Sequence, residues 1–160
     1  MIKIEEARPQ HVQAILELWK ALMDIHKKLD ADFFDATDLY IEDYSYGISE
    51  TINAASDEKK VFVALHNEVV VGYVTIEVVR FSMLMYNFDP LCVIGDIMIS
   101  EPYRNKGLGK IFIEEAKKIA EKQNVKKLML NVFGKNKTSY EYFKHLGFED
   151  MMNQMTMQVE

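Results

Sequence analysis

The segment 95-GDIMISEPYRNKGLGK-110 constrains the fold more than any other part of the sequence. An apolar strand ends near Ile99, Pro102 breaks it, and a helix begins directly after two glycines. The first turn of a helix has N–H groups without partners and the positive end of the helix dipole, so it attracts anions. Gly107 and Gly109 let a ligand approach the backbone closely. The segment also carries positive charge at Arg104, Lys106 and Lys110. It therefore predicts an anion-binding turn.

The spacing of the glycines differs from that of two common nucleotide-binding motifs. A P-loop needs Gly-x-x-x-x-Gly-Lys followed by Ser or Thr, and that spacing is absent from the sequence. A dinucleotide fingerprint has three glycines after the first strand of a parallel βαβ unit. The pattern in this chain is Arg-x-x-Gly-x-Gly between a strand and a helix. Neither of the two common motifs is therefore predicted.

The hydrophobic pattern predicts one domain over residues 1–160, because no linker, repeat or low-complexity segment divides the chain. The expected elements are a strand over 2–7, a helix from Pro9 to about Leu29, a helix to about Ala55, a hairpin of strands 61–65 and 69–79 joined by 66–68, a strand over 91–99, a helix from Gly107, a strand over 127–132, a helix over 136–146 and a closing strand over 151–159. The helix after Gly107 is expected to bury Leu108, Ile111, Phe112, Ala116, Ile119 and Ala120. This order predicts a mixed α/β (α+β) fold.

Composition argues against several functional classes. The net charge of −6 does not suit a general nucleic-acid binder, which usually has a basic face. The single cysteine, Cys92, excludes a disulfide within the chain and is expected to be a small buried residue rather than a nucleophile. No metal-ligand spacing appears, so no metal site is expected. The N-terminus does not resemble a signal peptide, and no apolar run reaches membrane-spanning length. The expected location is therefore the cytoplasm, with no membrane partner.

Two motifs together resemble the GCN5-related N-acetyltransferase (GNAT) family. The first, 104-RNKGLG-109, matches the family signature Arg/Gln-x-x-Gly-x-Gly/Ala. The second, 128-LMLNVFGKNKTSYEYFKHLGF-148, has the family's order of an apolar strand, an asparagine, a small residue three positions on, and Leu-Gly-Phe. The resemblance covers nearly the whole chain and implies the GNAT fold, a mixed, mostly antiparallel central sheet flanked by helices. It also implies acetyl-CoA as co-substrate and direct transfer of the acetyl group to a primary amine.

The resemblance further implies a set of cofactor contacts. The pyrophosphate would lie on the glycine turn formed by Arg104, Asn105, Lys106, Gly107, Leu108, Gly109 and Lys110. The pantetheine arm would follow Ile97, Met98 and Ile99, where two central strands splay apart. A backbone N–H near Met98 would then stabilise the tetrahedral oxyanion. The remaining contacts expected on the cofactor side are Asn136, Ser139 and Phe143.

The proton transfers leave alternatives open. An acceptor ammonium with a pKa near 10.4 must lose a proton, and Asp96 is the candidate base, with a water relayed from backbone carbonyls as the alternative. The tyrosine that usually donates a proton in the family falls at Phe143, whose ring has no proton to donate. Tyr140 and Tyr142 are the candidate substitutes, and protonation of the thiolate by solvent is the other alternative. We hypothesise that neither tyrosine is essential.

The resemblance also implies an acceptor pocket built largely from the first two helices and their loop, together with a late strand. In this chain that region would suit a cationic amine, of a small molecule or a peptide, as acceptor. Its acidic and aromatic residues are Asp24, Asp30, Asp32, Asp35, Asp38, Glu42 and Asp43, with Phe33, Phe34, Tyr40, Tyr44 and Tyr46. A solvated acidic loop is the alternative. His26 is expected to be a hydrogen-bonded boundary residue rather than a base. The segment 81–88 is either a wall of the pocket, a homodimer surface or a core strand.

Two other functions remain open at this point. The first is a non-catalytic module that senses acetyl-CoA, which the phenylalanine at position 143 keeps as an alternative. The second is an acyltransferase that uses a different acyl-CoA or a different nucleophile.

Overall fold

The computed structural model describes residues 1–34, 40–80 and 90–159. Within them the strands and helices are β1 (Ile2–Glu6), α1 (Val12–Leu29), α2 (Ile41–Ala54), β2 (Lys59–His66), β3 (Val69–Val79), β4 (Leu91–Ile99), α3 (Leu108–Lys122), β5 (Lys127–Leu130) and α4 (Lys137–His145). Short 3₁₀ helices, Pro9–His11 and Glu101–Tyr103, precede α1 and α3. The mixed α/β order predicted from the sequence is confirmed. The segment 81–88 and two members of the acidic region, Asp35 and Asp38, lie outside the described residues.

The strands form one sheet in the order β1-β2-β3-β4-β5. The first four are antiparallel to their neighbours, whereas β4 and β5 are parallel, with α3 as the crossover between them. The hairpin of β2 and β3 is closed by Asn67 and Glu68, whose φ angles are 50° and 63°. Positive φ at both central residues is what a two-residue type I′ turn requires. The predicted three-residue connection is thus one residue too long.

Each face of the sheet buries its own core. The core between the sheet and the helices α3 and α4 includes Val74, Ile76, Cys92, Ile94, Phe112, Ala116 and Phe143. The core on the opposite face, between the sheet and the helices α1 and α2, includes Ile15, Trp19, Ile48, Val61, Val63, Tyr73 and Met98. None of the described helices is both long and apolar enough to cross a bilayer. Strand β4, which lies between β3 and the edge strand β5, contributes residues to both cores and so has helices on both sides of it.

Three further predicted features differ from the structure. The closing strand predicted over 151–159 is wrong, since these residues form no strand and their methionine side chains are exposed. An alternating pattern needs a neighbouring strand to satisfy its backbone, and none pairs with this segment among the described residues. Strand β5 ends at Leu130 rather than at residue 132. On α3, Ile111 is 41% exposed and Ile113 is buried instead, because Ile113 lies on the same helix face as Gly109 and Ala116, four residues before it and three after it.

Candidate active site

Strand β4 is longer than its pairing with β5. The parallel ladder joins only Leu91–Ile94 to Lys127–Leu130. Beyond Ile94, β4 continues to Ile99 without a β5 partner. The two strands therefore leave a gap along the second half of β4, where the resemblance places the pantetheine arm.

The ladder between β3 and β4 determines which N–H groups face this gap. The N–H of Ser100 donates to the carbonyl of Val71 at 2.9 Å. Met98 lies two residues earlier on β4 and pairs with Tyr73 in the same ladder. Hydrogen bonding alternates along an antiparallel ladder, so the N–H groups of Met98 and Ser100 point toward β3. Those of Ile97 and Ile99 then point toward the gap. The expected oxyanion donor near Met98 is thus one of its two neighbours rather than Met98 itself.

A β-bulge interrupts the ladder at the start of the gap. The register shifts between Val74 and Ile76, so Thr75 lies opposite both Gly95 and Asp96. The N–H of Asp96 donates to Thr75 Oγ1 at 2.8 Å. A Cβ on Gly95 would lie 2.6 Å from that same oxygen, so the bulge has no room for a larger residue at this position. The bulge therefore depends on glycine and threonine at facing positions.

The bulge also decides the face on which Asp96 lies. In a regular strand Asp96 would share the face of Ile94, which is buried under α3. Instead the Tyr44 hydroxyl of α2 donates to Asp96 Oδ2 at 2.7 Å. That bond uses the one hydroxyl proton of Tyr44, so the Tyr73 hydroxyl, 3.0 Å away, must donate to the Tyr44 oxygen. The Tyr44 ring stacks on Trp19, with centroids 4.4 Å apart. Tyr44 thus holds the carboxylate directly, and Tyr73 holds the hydroxyl of Tyr44.

Burial dominates the electrostatics of this network. It raises the pKa of Asp96 above the ordinary carboxyl range, while the hydrogen bond from Tyr44 and the charge of His26 oppose the rise. Burial also raises the pKa of Tyr44 and of Tyr73, and the negative charge at Asp96 adds to both effects. Both hydroxyls therefore stay protonated at neutral pH and act as donors. A carboxylate with a raised pKa is a stronger proton acceptor than an exposed one.

His26 lies on the same face of the sheet, near the end of α1. Its Nδ1–H donates to a backbone carbonyl one turn earlier, that of Leu22, at 3.0 Å. The ring stacks on Phe34 at 4.9 Å and meets the edge of Phe133 at 6.3 Å. His26 is thus a packed, hydrogen-bonded side chain, as the sequence predicts.

The glycine turn is shaped by two residues with positive φ, Asn105 at 59° and Gly107 at 83°. Gly107 caps α3, which begins at Leu108, and a Cβ on Gly107 would meet no atom within 4 Å. The first N–H groups of α3 have no partner within the helix. Arg104 Nε–H donates to the Ile99 carbonyl at 2.9 Å and so ties the turn to the end of β4. An open backbone at a helix N-terminus, with Lys106 and Lys110 exposed beside it, fits a pyrophosphate.

The two candidate tyrosines of α4 have different surroundings. The hydroxyl of Tyr142 lies against Gly109, and a Cβ on that glycine would come within 3.1 Å of the Tyr142 ring. Tyr140 donates its hydroxyl proton to Asp150 at 2.8 Å, and this bond raises the pKa of Tyr140. Among the described residues, Asp96 has a hydroxyl partner in Tyr44 and in neither of these tyrosines. The structure therefore brings Tyr142 to the glycine turn and Asp96 to the opposite face of the sheet.

The other α4 residues have structural contacts. Asn136 Oδ1 accepts from the N–H of Ser139 at 3.1 Å and caps the helix. Phe143 is buried in the core on the α3 side of the sheet, with the ring of Phe148 edge-on at 5.7 Å.

Cys92 of β4 is also buried, and burial raises the pKa of its thiol to about 11, which does not favour a nucleophile. No group of three or more metal-ligating side chains occurs among the described residues.

Sequence analysis missed Tyr73 and gave Tyr44 no role of its own. The sequence did contain a signal for Tyr73, because this tyrosine interrupts the apolar run of β3 and a buried hydroxyl requires a hydrogen-bond partner. No comparable signal existed for Tyr44. Its contact with Asp96 joins residues 52 positions apart and depends on the bulge.

Known proteins resemble this chain in sequence pattern and in fold. A model of the acetyltransferase (GNAT) family matches residues 17–148. The comparison with curated proteins gave no match. Among solved structures, a tetramutant of the Bacillus halodurans protein BH1408 is 19% identical, with a TM-score of 0.84 over 98% of this chain and 99% of its own.

Two solved acetyltransferases are also similar. The aminoglycoside N-acetyltransferase AAC(6′)-Iy, in complex with the bisubstrate analogue CoA-S-monomethyl-acetylneamine, is 15% identical with a TM-score of 0.71 over 100% of this chain and 99% of its own. The PaiA N-acetyltransferase from Thermoplasma acidophilum, in complex with coenzyme A, is 14% identical with a TM-score of 0.77 over 96% and 93% of the two chains. At these identities the solved structures show a shared fold.

Proposed function

The chain belongs to the acetyltransferase (GNAT) family, and from that premise we propose that it transfers the acetyl group of acetyl-CoA directly to a primary amine of a small molecule or peptide. The observation that carries this proposal is the gap beside residues 97–99 of β4. One end of the gap meets the glycine turn, and the other end meets Asp96. A thioester and a base would therefore be brought together at one strand.

The cofactor side of the proposal uses residues that lie along one path. The pyrophosphate would rest on the N–H groups at the start of α3, with Gly107 leaving the backbone open. The pantetheine arm would occupy the gap and bond to β4 as an added strand would. Both AAC(6′)-Iy and PaiA are N-acetyltransferases crystallised with CoA or a CoA analogue, which supports nitrogen as the acceptor atom.

The chemical steps follow from the groups at the bulge. Asp96 would take a proton from the acceptor ammonium, directly or through one water, while Tyr44 holds the other carboxylate oxygen. The amine nitrogen would then attack the thioester carbon, and the N–H of Ile97 would donate to the oxyanion that forms. Breaking of the carbon–sulfur bond releases the CoA thiolate. The acylated nitrogen then gives its remaining extra proton to the thiolate, directly or through solvent, which yields the neutral amide and free CoA. No covalent intermediate with the protein is required.

The test is a panel of primary amines incubated with acetyl-CoA, with free CoA and acetylated amine both measured. We expect both products in equal amounts from at least one amine. The Asp96→Asn variant should bind acetyl-CoA like the wild type and release CoA far more slowly. Tight acetyl-CoA binding with no product from any amine would contradict the proposal and favour a sensor. Faster turnover with a longer acyl-CoA would instead identify a different acyl donor.

A further inference from the structure

A cavity of about 280 Å³ lies between α2 and the sheet, beside Asp96. Its accessible wall is mainly apolar, with Ile48 of α2, Val61 of β2 and Val93 of β4 among the lining residues, and the carboxylates of Asp43 and Glu77 line it as well. This volume is near the lower limit of ordinary ligand pockets, which span roughly 300–1,000 Å³. The cavity therefore suits a narrow, largely apolar group rather than a polycyclic or saccharide ligand.

One end of the cavity presents a carboxylate oxygen. Asp96 Oδ2 accepts from Tyr44, whereas Oδ1 accepts no hydrogen bond from the described residues. Among those residues no fully buried side-chain oxygen lacks a hydrogen-bond partner, so Oδ1 is not fully buried. The lysines at the cavity are already paired, Lys59 with Glu77 at 3.5 Å and Lys60 with Glu6 at 2.8 Å. A cation entering the cavity would therefore find an available negative partner at its inner end.

The same end lies next to the gap where the thioester is expected. Asp96 precedes Ile97, whose N–H points into the gap between β4 and β5. An ammonium group held against Asp96 would thus lie within about the length of one strand residue of the thioester carbonyl carbon that the amine must attack. Entry from the α2 side also keeps the acceptor on the opposite face of the sheet from α3.

We propose that this cavity is the acceptor pocket and that it takes an unbranched alkylammonium group, inserted with its nitrogen toward Asp96. The inference rests on the proposed function, since it names the acceptor class for that same site. The alkyl stem would lie along the apolar wall, and the rest of the acceptor would extend past the mouth of the pocket.

Gly47 lines the pocket from an exposed position. It lies in the middle of α2 and lines the cavity, and a Cβ at this position would meet no atom within 4 Å. Glycine inside a helix destabilises it by about 0.5–1 kcal/mol relative to alanine, so a larger residue should not weaken the fold. A side chain at Gly47 would instead occupy space that the acceptor needs.

The experiment compares wild type with Gly47→Phe, and uses Glu50→Phe, at an exposed position of the same helix, as the matched control. Rates are measured with n-alkylamines and with glucosamine at saturating acetyl-CoA. For the alkylamines we expect kcat/KM to fall at least about tenfold in Gly47→Phe, since one methylene in a pocket is worth about 10–200-fold. The KM for acetyl-CoA should not change, and Glu50→Phe should resemble wild type. An unaffected Gly47→Phe, or faster turnover of glucosamine than of any alkylamine, would overturn the inference.

A second measurement separates this inference from the proposed function. Binding of n-hexylamine to the CoA-saturated protein is followed through the backbone amide NMR signals of Ile48, Val93 and Asp96. Signal changes in wild type that are lost in Gly47→Phe support the pocket, even if no amine is acetylated. Acetylation of alkylamines without any such changes would contradict the pocket and leave the proposed function standing.

Discussion

The hydrogen bond between Tyr44 and Asp96 can be tested through stability, without any substrate. Tyr44→Phe removes the hydroxyl and keeps the ring that stacks on Trp19. We expect this change to destabilise the protein, because Asp96 Oδ2 loses its donor among the described residues. The hydroxyl of Tyr73 also loses the oxygen to which it donates.

The size of the effect follows from the length and charge of the bond. An O–H···O⁻ contact of 2.7 Å is a charge-assisted hydrogen bond, and such bonds contribute about 1.5–3 kcal/mol. The hydroxyl of Tyr73, buried and left without its acceptor, places the expected loss toward the upper end of that range. In a chain of this length, 1 kcal/mol changes Tm by about 2–4 °C, so the whole range corresponds to a fall in Tm of roughly 3–12 °C, and the upper end of it is expected.

The loss should depend on pH in a defined direction. Burial raises the pKa of Asp96 in the folded protein above its unfolded value. Such a group contributes stability that is fully present below the unfolded pKa and is lost as pH rises through the folded pKa. The Tyr44 bond favours the charged form, so removing it raises the folded pKa of Asp96 further. Tyr44→Phe should therefore destabilise the protein more at neutral pH than at acidic pH.

The assay is chemical denaturation of four proteins at both pH values. They are the wild type, Tyr44→Phe, Asp96→Asn and the double variant. A neutral amide still accepts from Tyr44, so Tyr44→Phe should cost only about 0.5–1.5 kcal/mol in the Asp96→Asn background. Tyr46→Phe is the control, because Tyr46 is 68% exposed on the same helix and should have little effect. Equal losses in both backgrounds and at both pH values would refute the reasoning.

Three further predictions concern the proposed reaction and the glycine turn. Asp96→Asn should lower kcat/KM for the amine by about a hundredfold or more in turnover assays, and should raise Tm at neutral pH because a buried charge becomes neutral. Tyr140→Phe and Tyr142→Phe should each keep turnover within about tenfold of wild type, because the Tyr140 hydroxyl bonds Asp150 and the Tyr142 hydroxyl lies at the glycine turn. A hundredfold drop in turnover of either variant would identify that tyrosine as a general acid. Gly107→Ala should lose about 1–2 kcal/mol in denaturation, because φ is 83°, and should weaken CoA binding measured by calorimetry.

Much of the local architecture could be predicted from the sequence. The boundaries of β3 and β4 and the start of α3 agree with the periodicity and with the glycines, since these signals act over a few neighbouring residues. The strand predicted from the alternating pattern over 151–159 was wrong, because that pattern is equally local. Alternation describes how a strand would present its side chains, but only a neighbouring strand can satisfy its backbone.

The sequence by itself determined the order of elements, the anion-binding turn and the family resemblance. All three depend on residue types at short, fixed spacings. Only the tertiary structure decided where the candidate base points and what holds it. A one-residue bulge opposite Thr75 moves Asp96 to the α2 face, and packing of α2 brings Tyr44 within 2.7 Å. Such long-range pairing depends on register and packing across the whole sheet, which no short stretch of sequence encodes.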